Sequence, residues 1–188
     1  MIIERRGFTL VELLVVIAII AILAAILMPA MNAALKKAAM AQAQTEVKSV
    51  EAAAKAYFNE YSRFPHIPTT MPNDYSYSYN TGNQSDDNVN LMNVLRSIAS
   101  PNGNLNFINN MRKIVFLEVS ENSLANGSFV DPWGTNEASQ YRITLDTDFD
   151  NVCEPPSSIG NVTNRSVIVW SAGPDGQVNT ADDVTSWK

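Results

Sequence analysis

Residues 8–31 hold 21 apolar residues out of 24, interrupted only by Thr9, Glu12 and Pro29. About 20 apolar residues in a helix cross the hydrocarbon core of a bilayer. Residues 8–28 supply them with one charged exception, Glu12, and no charge then occurs from Leu13 to Leu35. The rest of the 188-residue chain is polar but carries Trp, Tyr, Phe, Ile and Val to its end. A single candidate span excludes a polytopic membrane protein, and recurring large apolar residues exclude a disordered chain. What remains beyond the span is one domain of modest size.

A cleaved secretory signal has an apolar core of about 7–15 residues and a small-residue cut site. The run here is longer, and no clean Ala-x-Ala follows it. A signal anchor is the plainer reading. Arg5 and Arg6 precede the span, which places the N-terminus in the cytoplasm and the body outside.

The downstream chain keeps a helical pattern. Val47, Val50, Ala54, Tyr57, Phe58 and Tyr61 recur at spacings of three and four, forming one face. Glu46, Lys48, Ser49, Glu51 and Lys55 fall elsewhere and read as a solvated surface, with Glu51 and Lys55 in the favourable i,i+4 order. No glycine occurs between Gly7 and Gly82. The pattern predicts one helix from Phe8 to about Tyr61, on the order of 80 Å long, kinked or loosened at Pro29. The stretch Arg63-Phe64-Pro65 stops it, because a residue before proline avoids helical angles.

Residues 66–110 are rich in Asn, Ser, Tyr, Pro and Asp. Tyr75, Tyr77 and Tyr79 alternate with polar residues as in an exposed strand, and Leu91 to Ile98 suggest a short helix ended by Ser100-Pro101-Asn102-Gly103. His66 is the only histidine and sits beside Pro65; no nucleophile–base pair accompanies it. Ile114–Leu117, Tyr141–Leu145 and Val167–Trp170 read as strands. Three or four short strands on the amphipathic helix make an α+β head: a long N-terminal helix, first membrane-spanning and then amphipathic, packed on a small antiparallel sheet. Asp131-Pro132-Trp133-Gly134 reads as a turn with a buried tryptophan.

Net charge is −6, and residues 114–188 alone carry 3 basic and 11 acidic groups. Such a surface repels nucleic acid and suits a cation. Asp175, Asp182 and Asp183 converge if the chain folds back at the turn dipeptide Asp175-Gly176. Hard cations take several oxygens from carboxylates and carbonyls. Asp146-Thr147-Asp148-Phe149-Asp150 mimics the start of an EF-hand loop, but Asn151 replaces the turn glycine and Ser157 the closing glutamate. Cys153 is the only cysteine, so no intrachain disulfide forms.

Arg5-Arg6-Gly7-Phe8-Thr9-Leu10-Val11-Glu12 resembles the processing site of type IV pilin-like proteins. The resemblance implies that a membrane peptidase cuts after Gly7 and that Phe8 becomes an N-methylated first residue. Glu12 is then the fifth residue of the mature chain and Pro29 the twenty-second, where the family often has a proline. A carboxylate costs roughly 2.5–3.5 kcal/mol at the centre of a bilayer and less near its edge. Glu12 either snorkels to the headgroups or, as the resemblance implies, pairs with the Phe8 amine of a neighbouring subunit and sets filament register. The implied organisation is a leader over 1–7, a helix over 8–61 with residues 8–30 as span and filament core, and a periplasmic head over 62–188.

Three further segments resemble the major pseudopilins of type II secretion. They are Ala56–Pro65 (with Ser62 and Phe64 where the family has Gly and Tyr), Asp131-Pro132-Trp133-Gly134 with its tyrosine strand, and the acidic C-terminal loop. The last implies a structural Ca²⁺ held by the Ala172 carbonyl, Asp175, Asp182 and Asp183, in place of the disulfide many pilins use. The resemblance implies a structural subunit, not an enzyme. It sits in the inner membrane of a bacterium, among lipid, before polymerising with itself into a short periplasmic filament that drives protein export. Its other partners would be the prepilin peptidase/methylase and the inner-membrane assembly platform. A type IV pilin or minor pseudopilin is the alternative within the class. A membrane-anchored periplasmic binding or enzyme domain is the alternative outside it.

Overall fold

The computed structural model describes residues 9–65, 74–77, 88–100, 104–134, 139–155 and 159–188. The chain divides after Ala38 into two units. Helix α1, Leu10–Tyr61, contributes to both.

Among the described residues of the first unit α1 has no tertiary partner. Its large apolar side chains are all exposed, Leu10, Ile17, Leu23 and Ile26 among them. Its most apolar 18-residue window has a mean hydropathy of 3.2, long and apolar enough to cross a membrane. Helical assignment runs through Pro29 without a break, although proline has no N–H to give the carbonyl four residues back.

In the second unit one face of α1 is the spine of the core. Val47, Val50, Ala54 and Tyr57 are fully buried, as their spacing predicts, with Ala43 beside them, while Phe58 and Tyr61 of the expected face are half-buried. They share a single apolar cluster with Leu91 and Leu95 of helix α2 (Asn88–Leu95), with Ile143 and Leu145 of the sheet, and with Val167 and Val169. Each such large side chain contributes about 1.5–3 kcal/mol by leaving water, so packing dominates the weak helix propensity of the valines. The helix ends at Tyr61, and Ser62 takes φ +53° while its N–H bonds to the Phe58 carbonyl at 2.7 Å. That left-handed angle normally belongs to glycine and costs an L-residue about 1–2 kcal/mol.

Among the described residues the head carries eight short strands, β1 (Tyr75–Tyr77), β2 (Leu124–Ala125), β3 (Ser128–Phe129), β4 (Arg142–Leu145), β5 (Val152–Cys153), β6 (Val162–Thr163), β7 (Val167–Ser171) and β8 (Val184–Thr185). The main sheet is antiparallel in the order β1-β4-β7-β8. Strand β7 is buried along its whole length. Val167 and Val169 enter the main cluster, while Ile168 and Trp170 enter a second one with Cys153 and the half-buried Ile159, Val162 and Trp187. An unbroken apolar run is what a strand covered on both faces requires. The second cover is the β5–β6 hairpin and Trp187, whose ring meets Trp170 edge-on at 6.2 Å.

The α+β class is as expected, and four local readings are corrected. Ile114–Leu117 forms no strand: the Phe116 and Leu117 amides bond instead to the Leu95 carbonyl at the end of α2. Helix α2 stops at Leu95, before Ile98, because Ser97 turns to φ +58°. Trp133 is only half-buried, and Trp170 is the tryptophan fully inside. The charges beside the buried helix face are not simply solvated. Glu46 accepts from the Tyr141 hydroxyl at 2.5 Å, Lys48 donates to the Ser186 carbonyl, and Glu51 is 6% exposed. Tyr79 and His66 lie outside the described residues.

Candidate functional site

Gly7 and Phe8, the expected processing pair, lie outside the described residues. The next turn is well defined. Thr9 stands before the first helical residue, and its Oγ1 accepts from the Glu12 amide at 3.2 Å. Glu12 Oε2 accepts in return from the Thr9 amide and the Thr9 hydroxyl, each at 2.8 Å. This reciprocal pair is a capping box, which satisfies two of the helix's orphan donors. Its signal, Thr9-x-x-Glu12, is visible in the sequence and was not among the expectations. Glu12 therefore has a local partner even in a single chain, and its Oε1 takes no part in the box.

The C-terminal loop between β7 and β8 is the second candidate. Ala172 is fully buried where the chain leaves β7. Gly173 follows at φ +66°, and a Cβ there would lie 2.4 Å from the Asp182 carbonyl oxygen and 3.2 Å from Asp182 Oδ2. Only glycine permits that approach. The Asp175 amide donates to Asp182 Oδ2 at 3.3 Å, so the loop folds back as the turn dipeptide predicts. The Thr180 hydroxyl lies 2.7 Å from Asp182 Oδ1 and 3.2 Å from Asp183 Oδ1, and the Asn179 amide donates to Asp183 Oδ2 at 2.7 Å. The Thr180 hydrogen bond holds the Asp182 carboxyl below its ordinary range. The donors are all oxygen, as a hard cation requires. Asp175 and Asp182 meet through a backbone amide, and Asp182 and Asp183 meet through Thr180.

A link that sequence reasoning missed ties this loop to Asp131. Asp131 is 3% exposed, accepts from the Ser171 hydroxyl at 2.5 Å and from the Trp133 amide at 3.1 Å. Ser171 Oγ in turn accepts from the Gly173 amide at 3.0 Å. Burial pushes the Asp131 carboxyl up despite these bonds. The Asp-Pro-Trp-Gly turn and the acidic loop are thus one hydrogen-bonded unit.

Among the described residues, the group of three carboxylates that comes within 4.8 Å of one another is Asp74, Asp146 and Asp148. Asp74 Oδ1 accepts from the Thr147 amide at 3.0 Å and its Oδ2 from the Glu154 amide at 2.7 Å. Cys153 is buried beside them, its thiol pushed up to about 12 mainly by desolvation and further by Asp74 and Asp146. It is a buried core residue in surroundings that disfavour the thiolate.

A long apolar helix that opens on a Thr-x-x-Glu cap and continues as the spine of a small α+β head is the build of the type IV pilin-like class. Residues 4–28 match the family model of the prokaryotic N-terminal methylation motif. The chain is 26% identical over 184 residues to the type II secretion system core protein G of Escherichia coli, across 98% of this chain and 92% of that one. It is also 35% identical over 81 residues to the type IV major pilin protein PilA of Myxococcus xanthus. That second match takes in 43% of this chain, which spans about a third (35%) of the relative's length. No solved structure matches the chain.

Proposed function

We propose that the protein is a structural subunit of a type II secretion pseudopilus, made as a prepilin and assembled into a filament that serves protein export. The observation that carries this reading is the combination of the methylation motif at residues 4–28 with a relationship to core protein G along 98% of the chain. The pilin relationship covers less than half of it. A chain with one cysteine, and so no internal disulfide, also suits a pseudopilin better than a disulfide-stapled pilus subunit.

On this reading cleavage after Gly7 frees the Phe8 amine for methylation. The apolar first half of α1 anchors the subunit in the inner membrane, with the head in the periplasm, before it becomes filament core. The peptidase/methylase and the inner-membrane assembly platform are its processing and assembly partners. Glu12 uses the oxygen left out of its capping box to pair with the Phe8 amine of the next subunit, so that helices otherwise free to slide stop where the charges meet. A Ca²⁺ bound by the Ala172 carbonyl, Asp175, Asp182 and Asp183 closes the C-terminal loop. Such an ion stabilises only the folded state.

Intact-mass measurement of protein purified from membranes tests the class. The expected species lacks residues 1–7 and carries one added methyl group. A correctly localised protein that keeps its leader rules the reading out.

A further inference from the structure

We propose that Asp74, Asp146 and Asp148 form a divalent-cation site of oxygen-ligand, calcium-type chemistry, separate from the C-terminal loop. Register places the first two. Strand β1 pairs with β4 so that Tyr75 lies opposite Leu145. Asp74 and Asp146 are the next residues outward, which sets two carboxylates across from each other at the sheet's end. Like charges directly opposite are destabilising, and Asp148 brings a third. One oxygen from each lies within 4.8 Å of the others. Oxygens bound at about 2.4 Å to a calcium ion are at most about 4.8 Å apart, so the three spacings lie within reach of one coordination sphere.

The second observation is an unanswered polar atom. Asp146 is 2% exposed, and its Oδ2 accepts from the Asn151 amide at 3.0 Å. Its Oδ1 is buried with no hydrogen-bond partner. An unsatisfied buried carboxylate oxygen forfeits its hydration for nothing in return. No lysine or arginine pairs with any of the three among the described residues. The cations at hand are committed elsewhere, Lys55 to Glu51 at 2.6 Å and Arg165 to the same carboxylate at 3.7 Å. Burial pushes the Asp74 carboxyl up to about 6, and the neighbouring Asp146 and Asp148 charges add to the shift. A cation in the site reverses that penalty. A cavity of about 350 Å³ on the Asp146 side, lined also by Lys55, Asn151, Ser166 and Phe149, has room for waters that would complete the shell. The Cys153 thiol stays in the apolar cluster behind it.

The site stands whether or not the chain assembles as proposed above. The test uses the full-length protein in detergent, stripped with chelator and titrated with Ca²⁺ by calorimetry, with bound ions counted by native mass spectrometry. Asp148 is exposed, so Asp148→Asn leaves the fold intact. Asp175→Asn/Asp182→Asn disables the C-terminal loop. We expect the loop variant to keep one Ca²⁺, and addition of Asp148→Asn to weaken that ion about tenfold or more. Retention in the loop variant separates this site from the loop. A loop variant that binds no Ca²⁺, or a remaining ion indifferent to Asp148→Asn, overturns the proposal.

Discussion

Helix α1 carries a glutamate in each of its halves, and the two live differently. Glu12 stands in the apolar half, exposed, with its partners among the described residues all in its own first turn. Glu51 stands in the amphipathic half, 6% exposed, paired with Lys55 one turn on and with Arg165 from the head. Both are carboxylates on one continuous helix, so local structure does not distinguish them. The difference is what packs around each. Where the head covers α1, a charge is drawn into a tertiary pair. Where none of the described residues covers it, the charge is satisfied locally, with one oxygen outside the capping box.

Four substitutions probe that contrast, beginning with the largest effect. Glu12→Ala should leave processing and the melting temperature of the head unchanged and abolish filaments seen by electron microscopy. Filaments of normal number and length would end the register role. Ala54→Asp places an unpaired charge at a fully buried point of the same helix. It should destabilise the head by about 4 kcal/mol or more in denaturant titration. Its counterpart in the apolar half, Ile20→Asp, should leave the head's stability alone and impair membrane retention. Comparable unfolding by both would mean that the halves are not independent. Glu51→Ala should cost only about 1 kcal/mol, since Lys55 and Arg165 are each more than a third exposed and rehydrate when released. A loss several times larger would make the pair a keystone of the head and not a latch.

The span, the buried face from Val47 to Tyr57 and the two central strands were all legible, because each repeats a simple period against water or lipid. The end of α1 was legible from Phe64-Pro65. Two short signals also stood in plain view without being used. Thr9-x-x-Glu12 is a capping box, and Asn126-Gly127, both with positive φ, makes the β2–β3 hairpin. Ile114–Leu117 misled because its composition suits a strand while its amides were claimed by the end of α2. The candidate cation sites divide in the same way. Asp175 and Asp182 lie within one loop, and a turn dipeptide announces their meeting. Asp74 and Asp146 meet only through the pairing of β1 with β4.

By itself the sequence determined a single apolar span, a helix with one core face, an α+β head and an acidic C-terminal loop. These follow from periodicity, propensity and charge, which act between near neighbours. Only the tertiary structure decided that Glu51 is buried and paired, that Asp131 reaches the C-terminal loop through Ser171, and that Asp74, Asp146 and Asp148 come within 4.8 Å of one another with an Asp146 oxygen unsatisfied. Burial and strand register join residues far apart in the chain, and the free energy of a charge depends on the neighbours they bring to it.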